Sequence, residues 1–366
     1  MAYLILLALG ALDSAGYSIV APVVPEIGEA TGAGPGVIGA LVACFAVGQI
    51  AGYPVAGRGV QRRSALSVLA ASLAVMVVGD LGFVLGEGLA VYFPARLLQG
   101  IGAGGLWMGI VFAVLERYPG EEYRRLAGVT AAYSLGSIAG PAMGGAGGIR
   151  APFLVHLGVV VVLAVALAGL GPAGRPVTLL SDRRALRSPG FWLASAGILL
   201  VALALGALDG PLPLHFGEQL GQGEIAALYV GTAVVAGASA VAAGRLPPRA
   251  VLLAAAFLLP LGIGLAGLAE SIAPWIVAAA LAGVGIGIGE AGALGVLLES
   301  VGVERIVLAM VVWSQVWALG YIAGPAAGGG VAEALGFAAI GLVPLAAALL
   351  LGVAFLRAPA ATRALA

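Results

Sequence analysis

Gly136-Ser-Ile-Ala-Gly-Pro-Ala-Met-Gly-Gly145 recurs nearly letter for letter as Gly320-Tyr-Ile-Ala-Gly-Pro-Ala-Ala-Gly-Gly329. A ten-residue pattern used twice, about half a chain apart, marks a duplicated molecule. Its glycines fall every fourth residue, at Gly136, Gly140 and Gly144 and again at Gly320, Gly324 and Gly328, so each set forms one stripe on a helix. In water such a helix is poor, because each interior glycine costs about 1 kcal/mol. In a bilayer the same stripe lets two backbones approach closely.

Composition decides between the two media. The chain is 61% hydrophobic and 9% charged, against roughly 25% charged in an average soluble domain. So few charges cannot cover a soluble protein of 366 residues, which leaves an all-α polytopic membrane protein. A formal net charge of zero gives no footprint for nucleic acid. Every basic residue is Arg, which together with the Ala and Gly load reads as the composition bias of a bacterial genome. The single Cys44 excludes an intrachain disulfide. The chain enters an apolar segment at once with no basic leader, so a first membrane helix is expected there and not a cleaved signal peptide.

Polar breaks divide the chain into twelve apolar stretches of spanning length: roughly 3–25, 35–57, 64–85, 89–114, 124–147, 151–171, 190–214, 224–244, 249–269, 272–298, 305–330 and 336–356. The longest connection, 172–189, carries Arg175, Asp182, Arg183, Arg184 and Arg187. It is expected to be a cytoplasmic linker between an N-terminal six-helix bundle, 1–171, and a C-terminal bundle, 190–366. With the N-terminus inside, fifteen of the seventeen arginines fall in inner connections or the tail; only Arg150 faces out, and Arg96 lies within a span. This bias orients the chain with both termini in the cytoplasm. The halves repeat in parallel order. Leu9-Gly-Ala-Leu-Asp13 is matched by Leu205-Gly-Ala-Leu-Asp209, Gly57-Arg58 by Gly244-Arg245, and Gly100-Ile-Gly102 by Gly283-Val-Gly285.

Over essentially its full length the chain resembles the major facilitator superfamily. Arg96-Leu-Leu-Gln99-Gly100-Ile-Gly102 is similar to the family's span 4 motif. The stripe of spans 5 and 11, with Gly136, Gly140, Pro141, Gly144, Gly145 and their twins Gly320, Gly324, Pro325, Gly328, Gly329, is similar to a gating and packing motif of the twelve-span drug/proton antiporter branch. The cytoplasmic loop motif retains Arg58, Arg62 and Arg63, but Gly57 stands where the family places an acid and Val60 where it places a glycine. Asp13 followed by Val20-Ala-Pro-Val-Val-Pro25 is similar to the opening of drug and monoamine antiporters. The resemblance implies two pseudo-symmetric bundles with spans 1, 4, 7 and 10 lining a central cavity.

Each of those four spans carries one ionisable residue: Asp13, Arg96, Asp209 and Glu290. An ionised side chain at mid-bilayer costs about 2.5–3.5 kcal/mol on insertion scales, so such residues are functional candidates. Asp13, Glu290 and Asp209 read as proton-coupling carboxyls, since a carboxyl group can take up and release a proton. Each has a structural alternative: Asp13 as a partner for Arg96, Glu290 as a neutral acid bonded to a carbonyl, and Asp209 as a hydrated residue of the exit vestibule. Arg96 cannot act as a proton carrier. With Gln99 it reads as a charge partner or substrate ligand, or as an ion pair with Asp80. Tyr17, Trp107, Tyr133, Trp313, Trp317 and Tyr321 are candidates for stacking on a flat or cationic ligand, against a packing role. His156 and His215 lie near outer helix ends and carry no bet. No Gly-Lys-Ser/Thr follows a glycine run and no Cys/His cluster occurs, so no cofactor, no metal site and no enzyme activity is expected.

The reading is a proton-coupled exporter of a small lipophilic or cationic molecule in a bacterial cell membrane. Its expected partners are a small-molecule substrate, protons and the lipid bilayer; nucleic acid is not among them, and the chain is expected to act as a monomer. A metabolite uptake symporter or facilitator, and a non-transporting scaffold or sensor, are the alternatives.

Overall fold

The computed structural model describes residues 1–171, 186–301 and 306–357. Most of the expected linker, with Arg175, Asp182, Arg183 and Arg184, lies outside them, as do Arg305 and Arg363. Among the described residues every regular element is helical. The helices are α1 (Ala2–Ser18), α2 (Val24–Thr31), α3 (Pro35–Arg62), α4 (Ala65–Leu85), α5 (Leu89–Arg117), α6 (Glu122–Gly144), α7 (Arg150–Ala168), α8 (Pro189–Asp209), α9 (Leu212–Gly217), α10 (Gln222–Ala243), α11 (Pro248–Leu268), α12 (Ile272–Val301), α13 (Ile306–Leu335) and α14 (Leu342–Arg357). Eleven helical segments of the described residues are long and apolar enough to cross a membrane. The remaining long helix is α6, diluted by Gly128, Thr130, Tyr133, Ser134 and the glycine stripe.

Two of the spans are broken. α1 ends at Ser18, a 3₁₀ turn covers Ala21–Val23, and α2 begins at Val24. Pro22 and Pro25 cause the break, because neither ring nitrogen can donate to a carbonyl four residues back. Gly210, Pro211 and Pro213 separate α8 from α9 in the same way.

The chain divides into two compact units. One holds the described residues up to 171 together with Asp209–Ala233; the other holds 186–208 and the described residues from Val234 onward. In the first unit α1 and α5 are the most enclosed helices, with 78% of their most apolar window buried against 28% for α7. α7 shows Val159, Val162 and Val165 outward, as a helix bathed in lipid can. Arg150 and Glu87 pair at 2.6 Å, so the α4–α5 and α6–α7 connections lie at one end of this unit. α4 begins with a reciprocal serine cap: Ser67 N–H donates to Ser64 Oγ at 3.1 Å, and Ser64 N–H to Ser67 Oγ at 3.2 Å. Before α6, hydrogen bonds and charge from Arg124 and Arg125 hold the exposed Glu121 carboxyl below its ordinary range.

Each glycine stripe packs along the first long helix of its own half. Gly136, Gly140 and Gly144 of α6 meet the backbone carbonyls of Ala11 and Ala15 on α1 and of Ile19 just beyond it. The motif of α6 also ends against α10, where Gln222 Nε2 donates to the Gly144 carbonyl at 2.6 Å and an added Cβ on Gly145 would lie 2.7 Å from Ala226 Cβ. Gly320 and Gly324 of α13 meet the carbonyls of Leu199 and Leu203 on α8. The cause is local: α1 and α8 offer bare carbonyls at that spacing, and only a residue without Cβ can seat on them.

Candidate functional site

The buried polar residues of the first unit gather where α1 breaks. Arg96, on α5, is wholly buried. Its Nη1 donates to the Gly16 carbonyl at 2.8 Å and to Gln99 Oε1 at 3.1 Å, and its Nη2 donates to the Tyr17 carbonyl at 2.7 Å. Gly16 and Tyr17 lie in the last turn of α1, where carbonyls lose their helical partners and a cation is favoured. The guanidinium carbon also lies 4.4 Å from the centre of the Phe45 ring on α3. This placement explains the span 4 motif. Gly100 seats α5 against the Phe45 carbonyl, and Gly102 seats it against the Ser72 carbonyl of α4, at 2.8 Å from an added Cβ.

Gln99 carries the network onward. Its Nε2 donates to Asp80 Oδ1 at 2.7 Å. Asp80 Oδ2 lies 2.8 Å from His156 Nδ1 on α7. All four side chains are essentially sealed from solvent. Arg96 is thus linked to Asp80 through Gln99. His156, on which the sequence placed no bet, is buried and bonded to Asp80, because α4 packs on α7 there.

Asp13 lies one turn before Arg96's carbonyl partners and is 1% exposed. Its Oδ1 has no hydrogen-bond partner among the described residues. The same holds for Gln49 Oε1 on α3, a side chain 2% exposed. Tyr53, one turn beyond Gln49, is in electrostatic contact with Asp13. The Tyr17 ring tilts on Phe45 at 6.4 Å. Since α1 and α3 run antiparallel, that contact sets Asp13 at the level of Gln49. Two buried acceptors without donors at one level suit a hydrogen-donating or cationic guest. Sequence reasoning missed Gln49 and Tyr53; their one signal is spacing from Phe45 along a helix opposite Asp13.

The remaining candidates are dispersed. Asp209 ends α8, just before Gly210-Pro211, and is buried. It interacts electrostatically with Tyr229 of α10, which also senses Tyr17. Trp107 and Tyr133 meet edge to face at 5.9 Å between α5 and α6. In the second unit Glu290 is half-buried on α12 and makes no hydrogen bond to a described residue. Trp313 Nε1 donates to the Ala194 carbonyl of α8 at 3.2 Å. Trp317 and Tyr321 stack at 5.2 Å, with Tyr321 wholly buried beneath. Arg58, Arg62 and Arg63 are exposed near the end of α3 and form no ion pair with a described residue. Among the described residues no group of acids, histidines and cysteine could hold a metal ion.

The model of the Major Facilitator Superfamily matches residues 6–247. The chain belongs to that superfamily. It is thus a multi-pass membrane protein of a transporter family, not of an enzyme family. Among curated relatives it is 31% identical to Multidrug resistance protein 2 of Bacillus subtilis (strain 168) over 154 residues, 41% of this chain and 38% of that protein. It is 36% identical to the Vesicular acetylcholine transporter of Mus musculus over 124 residues, 32% of this chain and 23% of that protein. The chain thus spans under half the length of the curated relatives it matches. Two solved structures share its fold. The D-xylose-proton symporter superposes with a TM-score of 0.72 at 14% identity, covering 95% of this chain and 96% of that one. An inward-facing, occupied bacterial homolog of the human lysosomal transporter Spinster gives 0.74 at 14% identity, covering 96% and 94%.

Substitution of Arg96 tests the network's geometry. A lysine is a point charge and cannot span two carbonyls and an amide oxygen as the planar guanidinium does. Arg96→Lys is expected to lower stability by roughly 1.5–3 kcal/mol, the worth of one charge-assisted hydrogen bond. Thermal unfolding in detergent measures it, and a wild-type midpoint would show that these bonds contribute nothing.

Proposed function

We propose that this transporter is a proton-driven exporter of small lipophilic molecules, cationic or neutral, acting as a monomer in a bacterial plasma membrane with both termini in the cytoplasm. The observation that carries the reading is Asp13: a buried carboxyl with an oxygen that has no donor among the described residues. An ionised carboxylate without a counter-charge is unstable there, so either a proton or a positively charged guest completes it. Mutual exclusion of proton and substrate at one charge is the minimum an antiporter needs. Glu290 serves the same end in the C-terminal half, and Asp209 beside its proline break serves as a gate. The two six-helix halves, 1–171 and 190–366, joined by the 172–189 linker, exchange access between the two sides of the membrane. The likeness to a multidrug resistance protein supports export and a lipophilic substrate. Trp317, stacked on Tyr321, offers a ring face of the kind that flat cations bind.

Ethidium, a flat lipophilic cation, is a direct probe. Added to the detergent-solubilised protein in weak buffer, it should release protons in proportion to sites filled. Saturable binding without proton release would contradict the exchange.

A further inference from the structure

Export by proton exchange leaves open where the competing proton of the N-terminal half resides. Asp13 is one of three buried charges near the break in α1, and the count of these charges is informative. Arg96 is positive, while Asp80 and Asp13 in their ionised forms are negative, which leaves one uncompensated negative charge. A cationic substrate at Asp13 would balance it. So would one proton on a neutral base in the same interior.

We propose that this base is His156, and that Asp80 and His156 form a proton-carrying pair wired to the break in α1. Asp80 Oδ2 lies 2.8 Å from His156 Nδ1 and, as a carboxylate, can only accept from it. The neutral ring therefore carries its hydrogen on Nδ1 and leaves a lone pair on Nε2. His156 Nε2 has no hydrogen-bond partner among the described residues. It faces α1 at Gly16, where an added Cβ would sit 3.1 Å from it. Protonation forms an Nε2–H bond as an O–H bond of a hydronium ion breaks, and release reverses both. The Nδ1–H···Oδ2 bond persists throughout, so the imidazolium keeps the Asp80 carboxylate as its counter-charge.

Gly16 links the pair to the substrate position. Its carbonyl accepts from Arg96 Nη1, its Cα faces Nε2, and it lies three residues, about 4.5 Å of helix rise, beyond Asp13. Asp80 is also joined to Arg96 through Gln99. A charge appearing on His156 thus acts on the carbonyl end of α1 from two sides. Besides the groups toward the opposite helix ends, such as Tyr3, Arg58, Glu116, Arg117, Arg124 and Arg125, the helices around the pair carry Arg96 and Tyr92 on α5, Asp13 and Tyr17 on α1, Cys44 and Tyr53 on α3, and Tyr133 on α6. At the end of the unit Glu87 and Arg150 neutralise each other. The charge that a proton on His156 would offset is therefore the Asp13 carboxylate, for which the substrate cation competes.

This inference rests on the export reading, and the test separates the two. Ethidium affinity of the wild type is measured across about pH 5.5 to 8 together with proton release. A one-proton exchange raises affinity by up to about tenfold per pH unit within the titrating range. His156→Asn keeps a donor where Nδ1 stands and removes the Nε2 lone pair. It is expected to retain ethidium binding within about threefold at pH 8, to flatten the pH slope and to lose proton release. A slope and release equal to wild type would overturn the assignment of His156 while leaving the export reading intact. No slope or release in the wild type would overturn the export reading first. If His156→Asn does not fold, Asp80→Asn removes the counter-charge of the imidazolium. It should cut proton release at pH 7 by at least about half, and undiminished release would equally overturn the pair.

Discussion

Asp13→Asn binds ethidium about 10- to 100-fold more weakly than wild type and no longer couples binding to proton release. The size follows from the environment. A charge-assisted contact inside a protein is worth about 1.5–3 kcal/mol, and each 1.4 kcal/mol is a factor of ten in affinity. Asp13 is sealed from water and Oδ1 has no competing donor, so nothing softens the loss. The amide keeps size and polarity, and the close contacts of α1 with α6 are backbone contacts that it does not touch. Stability should change little or rise, because a buried unpartnered charge is removed. Titration by ethidium fluorescence, paired with a thermal melt, separates the two effects. Wild-type affinity in a folded Asp13→Asn protein would remove Asp13 from the site.

Gly140→Val has a comparably large effect by a different route. An added Cβ at Gly140 collides with Ser18 Oγ and lies 2.7 Å from the Ala15 carbonyl and 3.1 Å from Ala15 Cα. The serine can rotate away, but the backbone of α1 cannot. Overpacking of this kind costs about 1–3 kcal/mol where side chains can yield, and more where only backbone is met. The same stretch of α1 presents Gly16 and Tyr17 to Arg96, so prising it from α6 also pulls two hydrogen bonds from the guanidinium. Gly140→Val is expected to lose most of its monodisperse folded fraction in detergent. Gly324→Val, which meets the Leu203 backbone and Gly206 Cα at 3.1 Å, should behave alike. Gly158→Ala on α7, with nothing within 4 Å of an added Cβ, serves as control and should be neutral or slightly stabilising. Size-exclusion profiles after heating report all three, and equal profiles would show that the stripe is not a packing device.

The helical plan was largely legible, because a span announces itself by twenty apolar residues and the breaks by Pro22, Pro25, Pro211 and Pro213. Each of the twelve expected spans has a helical counterpart, and the charges of Asp13 and Arg96 stand out against an apolar background. What Arg96 touches was not legible. It binds backbone carbonyls, which have no signature in side-chain identity, and it is linked to Asp80 through the amide of Gln99. The partner of His156 was not legible for a related reason. Counting inward, Asp80 lies six residues before Gly86 and His156 six residues after Arg150, so both sit at one depth. That agreement has meaning only once α4 is known to pack on α7, a neighbour relation that periodicity does not encode. The stripes were legible as close approaches, but glycine at every fourth position does not say to which helix.

The central claim is that proton movement one way drives substrate movement the other. Purified protein in liposomes, with the membrane potential clamped to zero and a pH gradient imposed, tests it most directly. Ethidium should move against its own gradient toward the acidic side, and should stop doing so when the pH gradient is collapsed or Asp13 is replaced by asparagine. Ethidium that merely equilibrates across the membrane, at the same rate with and without the pH gradient, would contradict the claim.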